Sequence, residues 1–213
     1  MKPSFVTKLS IRLAKLWVRN ISGLENIPDN GKFIIAANHS SFLDDFLMPG
    51  IAILKIKKLV HMYCNDRFYK NKIFAAYLNS SQCIPISIQT KNKDTNKKAF
   101  ETALNHLKNN EPIGIFPEGG RSKNGELKEA RTGIAKLALT AKVPILPIGL
   151  AGSYDVFPRN VKFPKFKRCE IKIGKPIYLD KYYEESDNQK VLKDITTKIM
   201  KEIAKLTGQE YNY

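Results

Sequence analysis

Several features that would assign a class quickly are scarce or absent in this chain of 213 residues. It has only three cysteines, Cys64, Cys83 and Cys169, and none of them forms a Cys-x-x-Cys pair. An odd count without metal-ligand spacing argues against a disulfide framework or a zinc site and fits a reducing compartment. No apolar run is long enough to span a bilayer, so no transmembrane helix is predicted. The chain also lacks a P-loop and a Gly-x-Ser-x-Gly elbow, which disfavours nucleotide hydrolysis and serine-hydrolase chemistry.

Acidic residues are few relative to basic ones, 20 against 36, and the formal net charge is +16. Such an excess attracts nucleic acid, an anionic membrane surface or acidic small molecules, although a Lys-rich composition also arises from surface solvation alone. The charge therefore does not select the partner. A basic nucleic-acid-binding domain, with Tyr63, Phe68 and Tyr69 stacking on bases, stays open as an alternative at this point, although no helix-turn-helix or zinc motif supports it.

The first segment, residues 1–20, is predicted to form a basic amphipathic helix. Its apolar and basic residues recur at helical spacing on different sides: Phe5, Leu9, Leu13, Leu16 and Trp17 on one, Lys8, Arg12, Lys15 and Arg19 on another. A basic helix with a Trp on its apolar face suits a membrane interface, while an ordinary helix packed on the core shows the same periodicity. We divide the chain into this helix and a domain over residues 21–213.

Strands alternate with helices along the rest of the chain. Apolar runs predict buried strands at 33–37, 57–64, 113–116 and 143–150, and amphipathic patterns predict helices between them, closing with a helix over 187–206. Residues 91–98 are polar and are predicted as a loop. This alternation predicts a single α/β domain with a mixed, mostly parallel sheet covered by helices.

Polar loops follow two of these strands. Asn38 to Asp44 comes directly after the run at 33–37, and Phe116 to Ser122 includes the end of the run at 113–116. Open α/β folds bind their ligands at the carboxyl ends of the strands. The two loops are therefore the candidate site.

The first loop contains a histidine with a carboxylate five residues later, His39 and Asp44. At neutral pH His39 suits a general base, and Asp44, one turn into a following helix, could orient its imidazole. The same residues also fit a simpler interpretation, because Ser41-x-x-Asp44 is the pattern of a helix capping box. The pair by itself does not decide between them.

The second loop, Glu118-Gly119-Gly120-Arg121-Ser122, has the composition of an anion site. Glycines let backbone N–H groups approach an anion closely, and a guanidinium binds phosphate oxygens bidentately. A tight turn with solvated charges is the alternative for the Gly-Gly pair. The loop therefore favours, without requiring, a phosphorylated ligand.

The order of these motifs resembles that of the glycerolipid and lysophospholipid acyltransferases, typified by 1-acylglycerol-3-phosphate acyltransferase. The resemblance rests on Asn38-His39-x4-Asp44, then Phe116-Pro117-Glu118-Gly119-x-Arg121-Ser122, then Val143-Pro144-Ile145-Leu146-Pro147-Ile148, with Gly23 to Pro28 and Arg131-Thr132-Gly133 agreeing as well. It covers about residues 20 to 180. The resemblance implies the glycerol-3-phosphate acyltransferase-like fold.

It also implies roles for the motif residues. His39 would deprotonate the acceptor hydroxyl and Asp44 would orient it, while the acceptor would be bound by Glu118, Gly119, Gly120, Arg121, Ser122 and Arg131. The implied partners are acyl-CoA or acyl carrier protein, a lysophospholipid and an anionic membrane surface, with no metal, no bound cofactor and no nucleic acid. The implied location is peripheral, on the cytoplasmic face of a membrane, which would give the helix over 1–20 a purpose.

The chain departs from the family at one position. After the strand around Ile84-Pro85-Ile86, family members often carry an arginine that binds the acceptor phosphate, but Ser87 or Ile88 stands there in this chain. The expected acceptor is 1-acylglycerol-3-phosphate, giving phosphatidate, with another lysolipid or a hydroxyl-bearing amino-lipid left open.

Overall fold

A central sheet organises the computed structural model, which describes residues 4–88 and 92–213. Within those residues the strands are β1 (Val18–Ser22), β2 (Ile34–Ala37), β3 (His61–Asn65), β4 (Ile84–Ile86), β5 (Ile113–Ile115), β6 (Ile145–Ala151) and β7 (Cys169–Ile173). They lie in the order β1-β7-β6-β2-β5-β3-β4, and every neighbouring pair is parallel except β6 and β7. The predicted α/β domain with a mixed, mostly parallel sheet is confirmed.

Helices cover both faces of this sheet. They are α1 (Phe5–Ala14), α2 (Asp44–Ile56), α3 (Lys72–Ser80), α4 (Lys93–Lys108), α5 (Gly133–Ala141), α6 (Ser153–Val156) and α7 (Gln189–Thr207), with short 3-10 segments at Lys15–Trp17, Leu24–Asn26, Asp66–Lys70 and Asp180–Glu185. The long α7 forms because its apolar residues recur every three or four positions and all face the core: Leu192, Ile195, Ile199, Met200 and Ile203.

Most of the loop predicted over 91–98 is instead the start of α4, while residue 91 lies outside the described residues. The side chain of Asn92 accepts hydrogen bonds from the backbone N–H groups of Asp94 and Thr95, which caps the helix at this point. The polar residues correctly indicated solvent exposure. They did not distinguish a loop from the exposed first turn of a helix, which is equally polar.

The middle strand β2 divides the core into two halves. Alternate residues of a strand point to opposite faces, and every residue from Phe33 to Ala37 is fully buried. Ile34 and Ala36 join the cluster formed with α4, α5 and α7, whereas Phe33 and Ile35 join the cluster formed with α2 and β7. Burial on both faces explains why this strand is a continuous apolar run.

The predicted helix over 1–20 is wrong at its C-terminal end, and its first three residues lie outside the described ones. The α-helix ends at Ala14, and Val18–Ser22 forms the edge strand β1, which pairs in parallel with β7. Backbone hydrogen bonds to β7, a distant partner in the chain, override the local helical pattern. The boundary drawn at residue 20 therefore cuts through a strand of the domain sheet.

The first helix, α1, is only partly packed on the domain. Thr7, Ile11 and Ala14 are buried, and the apolar side chains on another side of the helix are exposed: Phe5, Val6, Leu9 and Leu13, followed by Leu16. In residues 4–88 and 92–213, no helix combines the length and apolar character that crossing a bilayer requires.

Packing of β6 against α7 leaves no room for a side chain at Gly149. A Cβ there would lie 2.6 Å from Cβ and 2.9 Å from the carbonyl carbon of Leu206. We expect Gly149→Ala to lower the free energy of unfolding in urea by about 1–3 kcal/mol, because β6 and α7 must separate. Gly133→Ala, at the start of α5 with nothing within 4 Å of its Cβ, is the control and should not be destabilising. Equal stability of the two variants would contradict this packing.

Candidate active site

The two polar loops meet at one edge of the sheet. Strands β2 and β5 are neighbours and parallel, so the chain leaves both at the same edge. The backbone N–H of Ser122 donates to the carbonyl oxygen of His39 at 2.7 Å, which joins the loops directly. Residues about eighty positions apart in the sequence therefore form one site.

His39 and Asp44 are in contact. Nδ1 of His39 lies 3.1 Å from Oδ2 of Asp44, and Asp44 is completely buried while the imidazole is nearly so. A carboxylate at Nδ1 holds the proton on that nitrogen and leaves Nε2 as the basic atom. The arrangement is the histidine–carboxylate half of a catalytic triad.

The alternative role of Asp44 as a helix cap is also partly present. Its Oδ2 accepts hydrogen bonds from the backbone N–H groups of Ser40 and Ser41, each at 2.7 Å. The Ser41 hydroxyl accepts from the N–H of Leu43 at 3.1 Å. Asp44 begins α2, so one carboxylate shapes the turn, starts the helix and contacts the imidazole.

Two further residues lie at His39 that the sequence analysis did not include among the site residues. The ring of Phe116 stacks on the imidazole, with centroids 3.9 Å apart and planes 9° from parallel. Oδ1 of Asp45 lies 3.8 Å from Nε2, on the side of the ring opposite Nδ1. The position of Phe116 at the end of an apolar strand was visible, but its stacking partner lies in the loop that follows another strand.

Glu118 braces the two loops together. Its Oε1 accepts the backbone N–H of His39 at 2.8 Å, and its Oε2 accepts that of Lys128 at 3.0 Å. Burial raises the pKa of Glu118 to about 7, although both hydrogen bonds and the charge of Lys128 act in the opposite direction. Lys128, whose Nζ donates to the carbonyl oxygen of Gly120 at 2.6 Å, was also missed from the sequence.

Arg121 points its guanidinium at the first loop. Its Cζ lies 3.5 Å above the ring of Phe42, a cation–π contact. Among the residues that the structure describes, its Nη1 is buried without a hydrogen-bond partner. Burial also lowers the pKa of Arg121. A cationic donor without a protein partner is suited to bind an anion.

The other predicted binding residues shape the loop around Arg121. Gly119 has a φ of +67°, and a Cβ there would lie 2.9 Å from Nε of Arg131, so Arg131 packs directly against it. Gly120 follows, half-buried. The hydroxyl of the buried Ser122 donates to Asn124 Oδ1 and accepts from the N–H of Gly125, which closes a turn. The structure brings all the predicted site residues to one edge.

The position where the family carries an additional arginine holds no cation. The backbone of Ser87 is instead paired with the side chain of Asn96, which accepts from its N–H and donates to its carbonyl oxygen. Two of the three aromatic residues proposed for base stacking make contacts within the protein, since Tyr63 packs against the core and the Tyr69 hydroxyl donates to Cys83 O at 2.7 Å.

A second group of titratable residues lies at the opposite edge of the sheet. Among the described residues, His61, His106 and Glu111 form the group whose ligand atoms are close enough to hold a metal ion. The Glu111 carboxylate lies 2.7 Å from Nδ1 of His106 and 3.3 Å from Nε2 of His61, and the two rings stack at 3.6 Å. The carboxylate is therefore hydrogen-bonded to His106 and lies close to His61.

Comparison with known proteins identifies relatives of this chain. The family model described as Acyltransferase matches residues 18–151. The chain is 28% identical over 155 residues to the 1-acyl-sn-glycerol-3-phosphate acyltransferase of Bacillus subtilis, covering 72% of this chain and 71% of that protein. It is 26% identical over 178 residues to the chloroplastic 1-acyl-sn-glycerol-3-phosphate acyltransferase LPAT1 of Arabidopsis thaliana, covering 82% of this chain but only 48% of the plant protein.

A solved structure shares the fold. The crystal structure of the 1-acyl-sn-glycerophosphate acyltransferase PlsC from Thermotoga maritima matches with a TM-score of 0.68 at 22% identity. The match covers 97% of this chain and 82% of that chain. The fold described above is therefore shared with that protein.

The raised pKa of Glu118 has a measurable consequence for stability. Because its pKa in the fold, about 7, lies above the ordinary 4.5, the folded protein holds a proton that the unfolded chain releases, so stability decreases as the pH rises between these values. Relative to Glu118→Gln, the wild type should lose on the order of 3 kcal/mol of unfolding free energy between pH 4.5 and 8. Urea titrations across this range measure the difference, and a constant difference would show that Glu118 is ionised throughout.

Proposed function

The chain belongs to the Acyltransferase family, and on that premise we propose that it esterifies the free hydroxyl of 1-acyl-sn-glycerol-3-phosphate to form phosphatidate. The acyl group would come from a thioester of coenzyme A or of acyl carrier protein. The observation that carries this proposal is that the loop of the His39–Asp44 pair is joined to the loop of Arg121, whose buried Nη1 has no hydrogen-bond partner among the described residues. The first suits removal of a proton, and the second suits an anionic acceptor.

In this mechanism His39 is the general base. Asp44 keeps the proton on Nδ1, so Nε2 accepts the proton of the acceptor hydroxyl as its oxygen attacks the thioester carbonyl carbon. The tetrahedral intermediate then collapses, the carbon–sulfur bond breaks, and the proton on Nε2 passes to the departing thiolate. The buried carboxylate of Asp44 stabilises the imidazolium between these steps, and stacking on Phe116 holds the ring in place.

The surroundings of His39 favour direct transfer over an acyl-enzyme. The neighbouring hydroxyls bond elsewhere: Ser40 Oγ lies 3.1 Å from Ser153 Oγ, and Ser41 Oγ donates to the carbonyl oxygen of Phe157 at 3.0 Å. A serine nucleophile would need its hydroxyl at the imidazole. The acceptor hydroxyl is then the group that His39 activates.

Arg121 is assigned to the acceptor phosphate. Its contact with Phe42 orients the guanidinium, and its buried Nη1 can donate hydrogen bonds to a phosphate because it has no partner among the described residues. Because the position of the family's additional arginine holds no cation, we expect Arg121 to carry a larger share of phosphate binding here. Glu118 contributes by holding His39 and the loop in register, since both its oxygens already accept backbone hydrogen bonds.

The acceptor resides in membranes, and we propose that the protein works peripherally on the cytoplasmic face. The exposed apolar side of α1, with basic residues beside it, suits the interface of an anionic bilayer. The three cysteines are free, which fits a reducing compartment.

His39→Ala should abolish transfer without disturbing the fold. Purified protein offered a panel of lysolipids with labelled acyl-CoA or acyl carrier protein is expected to form phosphatidate, and the variant should be slower by about 10²–10⁴-fold, the usual contribution of a general base. His106→Ala, at the opposite edge of the sheet, is the matched control and should keep wild-type activity. Near-normal transfer by His39→Ala would overturn the mechanism.

Arg121→Ala should act mainly on acceptor binding. Loss of a charge-assisted hydrogen bond of about 1.5–3 kcal/mol corresponds to an increase in acceptor KM of roughly 10- to 150-fold. The donor KM should not change. A monoacylglycerol acceptor, which lacks the phosphate, is the control, because wild type and variant should use it equally poorly. An unchanged KM for the phosphorylated acceptor would contradict the assignment.

A further inference from the structure

The loop between α6 and β7, residues 157–168, has an unusual surface. It contains five basic residues, Arg159, Lys162, Lys165, Lys167 and Arg168, and no acidic one. Among them stand two aromatic residues, Phe163, which is 79% exposed, and Phe166, which is fully exposed. Aromatic side chains standing free in water within a cationic segment indicate a contact surface rather than ordinary solvation.

This loop is held in shape by the protein. The backbone N–H of Lys165 donates to the carbonyl oxygen of Val156 at 2.8 Å, and the indole N–H of Trp17 donates to the carbonyl oxygen of Lys165 at 3.2 Å. Both contacts fix the backbone between Phe163 and Phe166. The two rings are therefore displayed from a defined loop, next to the segment that follows α1.

The loop also forms a wall of the active site. The carbonyl oxygen of Phe157 accepts hydrogen bonds from the backbone N–H of Phe42 and the hydroxyl of Ser41, each at 3.0 Å. Phe42 in turn lies under the guanidinium of Arg121. The charge of Arg159 contributes, after burial, to lowering the pKa of Arg121, so the loop lies within electrostatic reach of the cleft.

We propose that the 157–168 loop docks the protein on an anionic bilayer, with Phe163 and Phe166 entering the interface and the basic side chains contacting lipid headgroups. The proposal rests on the proposed function, because it supplies the route by which a membrane-resident acceptor reaches His39. A bilayer accepts protruding rings without matching pockets, and amphipathic aromatic and cationic groups concentrate at its interface. Anionic lipid also complements a segment that has no acidic residue.

Vesicle binding by the chain of 213 residues tests the loop. The double variant Phe163→Ser/Phe166→Ser should bind vesicles of phosphatidylcholine with 30% phosphatidylglycerol more weakly than wild type, by about 10-fold or more, because the two rings that enter the bilayer are lost. The matched control is Tyr178→Ser, which also replaces an exposed aromatic residue. Tyr178 follows Ile177, which pairs with Ile145 at the start of β6, whereas the 157–168 loop lies beyond the other end of that strand. It should bind like wild type.

A measurement on the unmodified protein makes the test independent of any variant. Trp17 is the only tryptophan of the chain, and its indole bonds to the loop itself. Its fluorescence should be quenched by brominated lipid in anionic vesicles, and less so in vesicles of phosphatidylcholine alone. Absence of quenching, or wild-type binding by the double variant, would overturn the proposal.

Kinetics separate this proposal from the proposed function. The double variant should lose acyl transfer to an acceptor embedded in vesicles. It should keep the wild-type kcat/KM for a short-chain acceptor that is dissolved below its critical micelle concentration. If wild type binds vesicles through the loop but transfers no acyl group, docking stands and the proposed function fails. If the variant binds vesicles normally but no longer uses acyl carrier protein, the loop is a surface for that acidic protein and docking is wrong.

Discussion

One carboxylate oxygen organises the first half of the site. Oδ2 of Asp44 accepts hydrogen bonds from two backbone N–H groups and faces Nδ1 of His39. A fully buried carboxylate is costly unless it is paired and hydrogen-bonded, and the start of α2 also places it at the positive end of a helix dipole. The turn, the beginning of the helix and the orientation of the imidazole therefore depend on the same group.

The second half of the site is attached to the first by parallel strand pairing. Because β2 and β5 run side by side, the loop after β5 lies against His39 and supplies Phe116, Glu118 and Arg121. Arg121 packs on Phe42, which is hydrogen-bonded to the loop between α6 and β7. His39, Arg121 and the exposed aromatic loop are linked by a continuous series of contacts. The groups proposed for proton transfer, for recognition of an anionic acceptor and for docking therefore lie on one side of the molecule.

The periodicity of apolar residues correctly predicted elements that are buried on both faces or along a single stripe. The continuous apolar run at β2 and the helical spacing in α7 were both interpreted correctly, because burial on two faces or on one stripe leaves its own pattern. Prediction failed at Val18 to Asn20, where pairing with β7 outweighs the helical pattern before it. It failed again at the start of α4, where a polar helical turn was taken for a loop.

The sequence by itself determined the chemical groups of the site and their order along the chain: a histidine with a nearby carboxylate, and a glycine-rich loop with an arginine after a buried strand. Only the tertiary structure decided what each group does. In the structure Asp44 both accepts backbone hydrogen bonds and contacts the imidazole, and Glu118 holds the two loops together. Among the described residues, Nη1 of Arg121 has no hydrogen-bond partner. The physical reason is distance along the chain. Glu118 meets His39 across about eighty residues, and a local pattern carries no information about contacts that sheet topology creates.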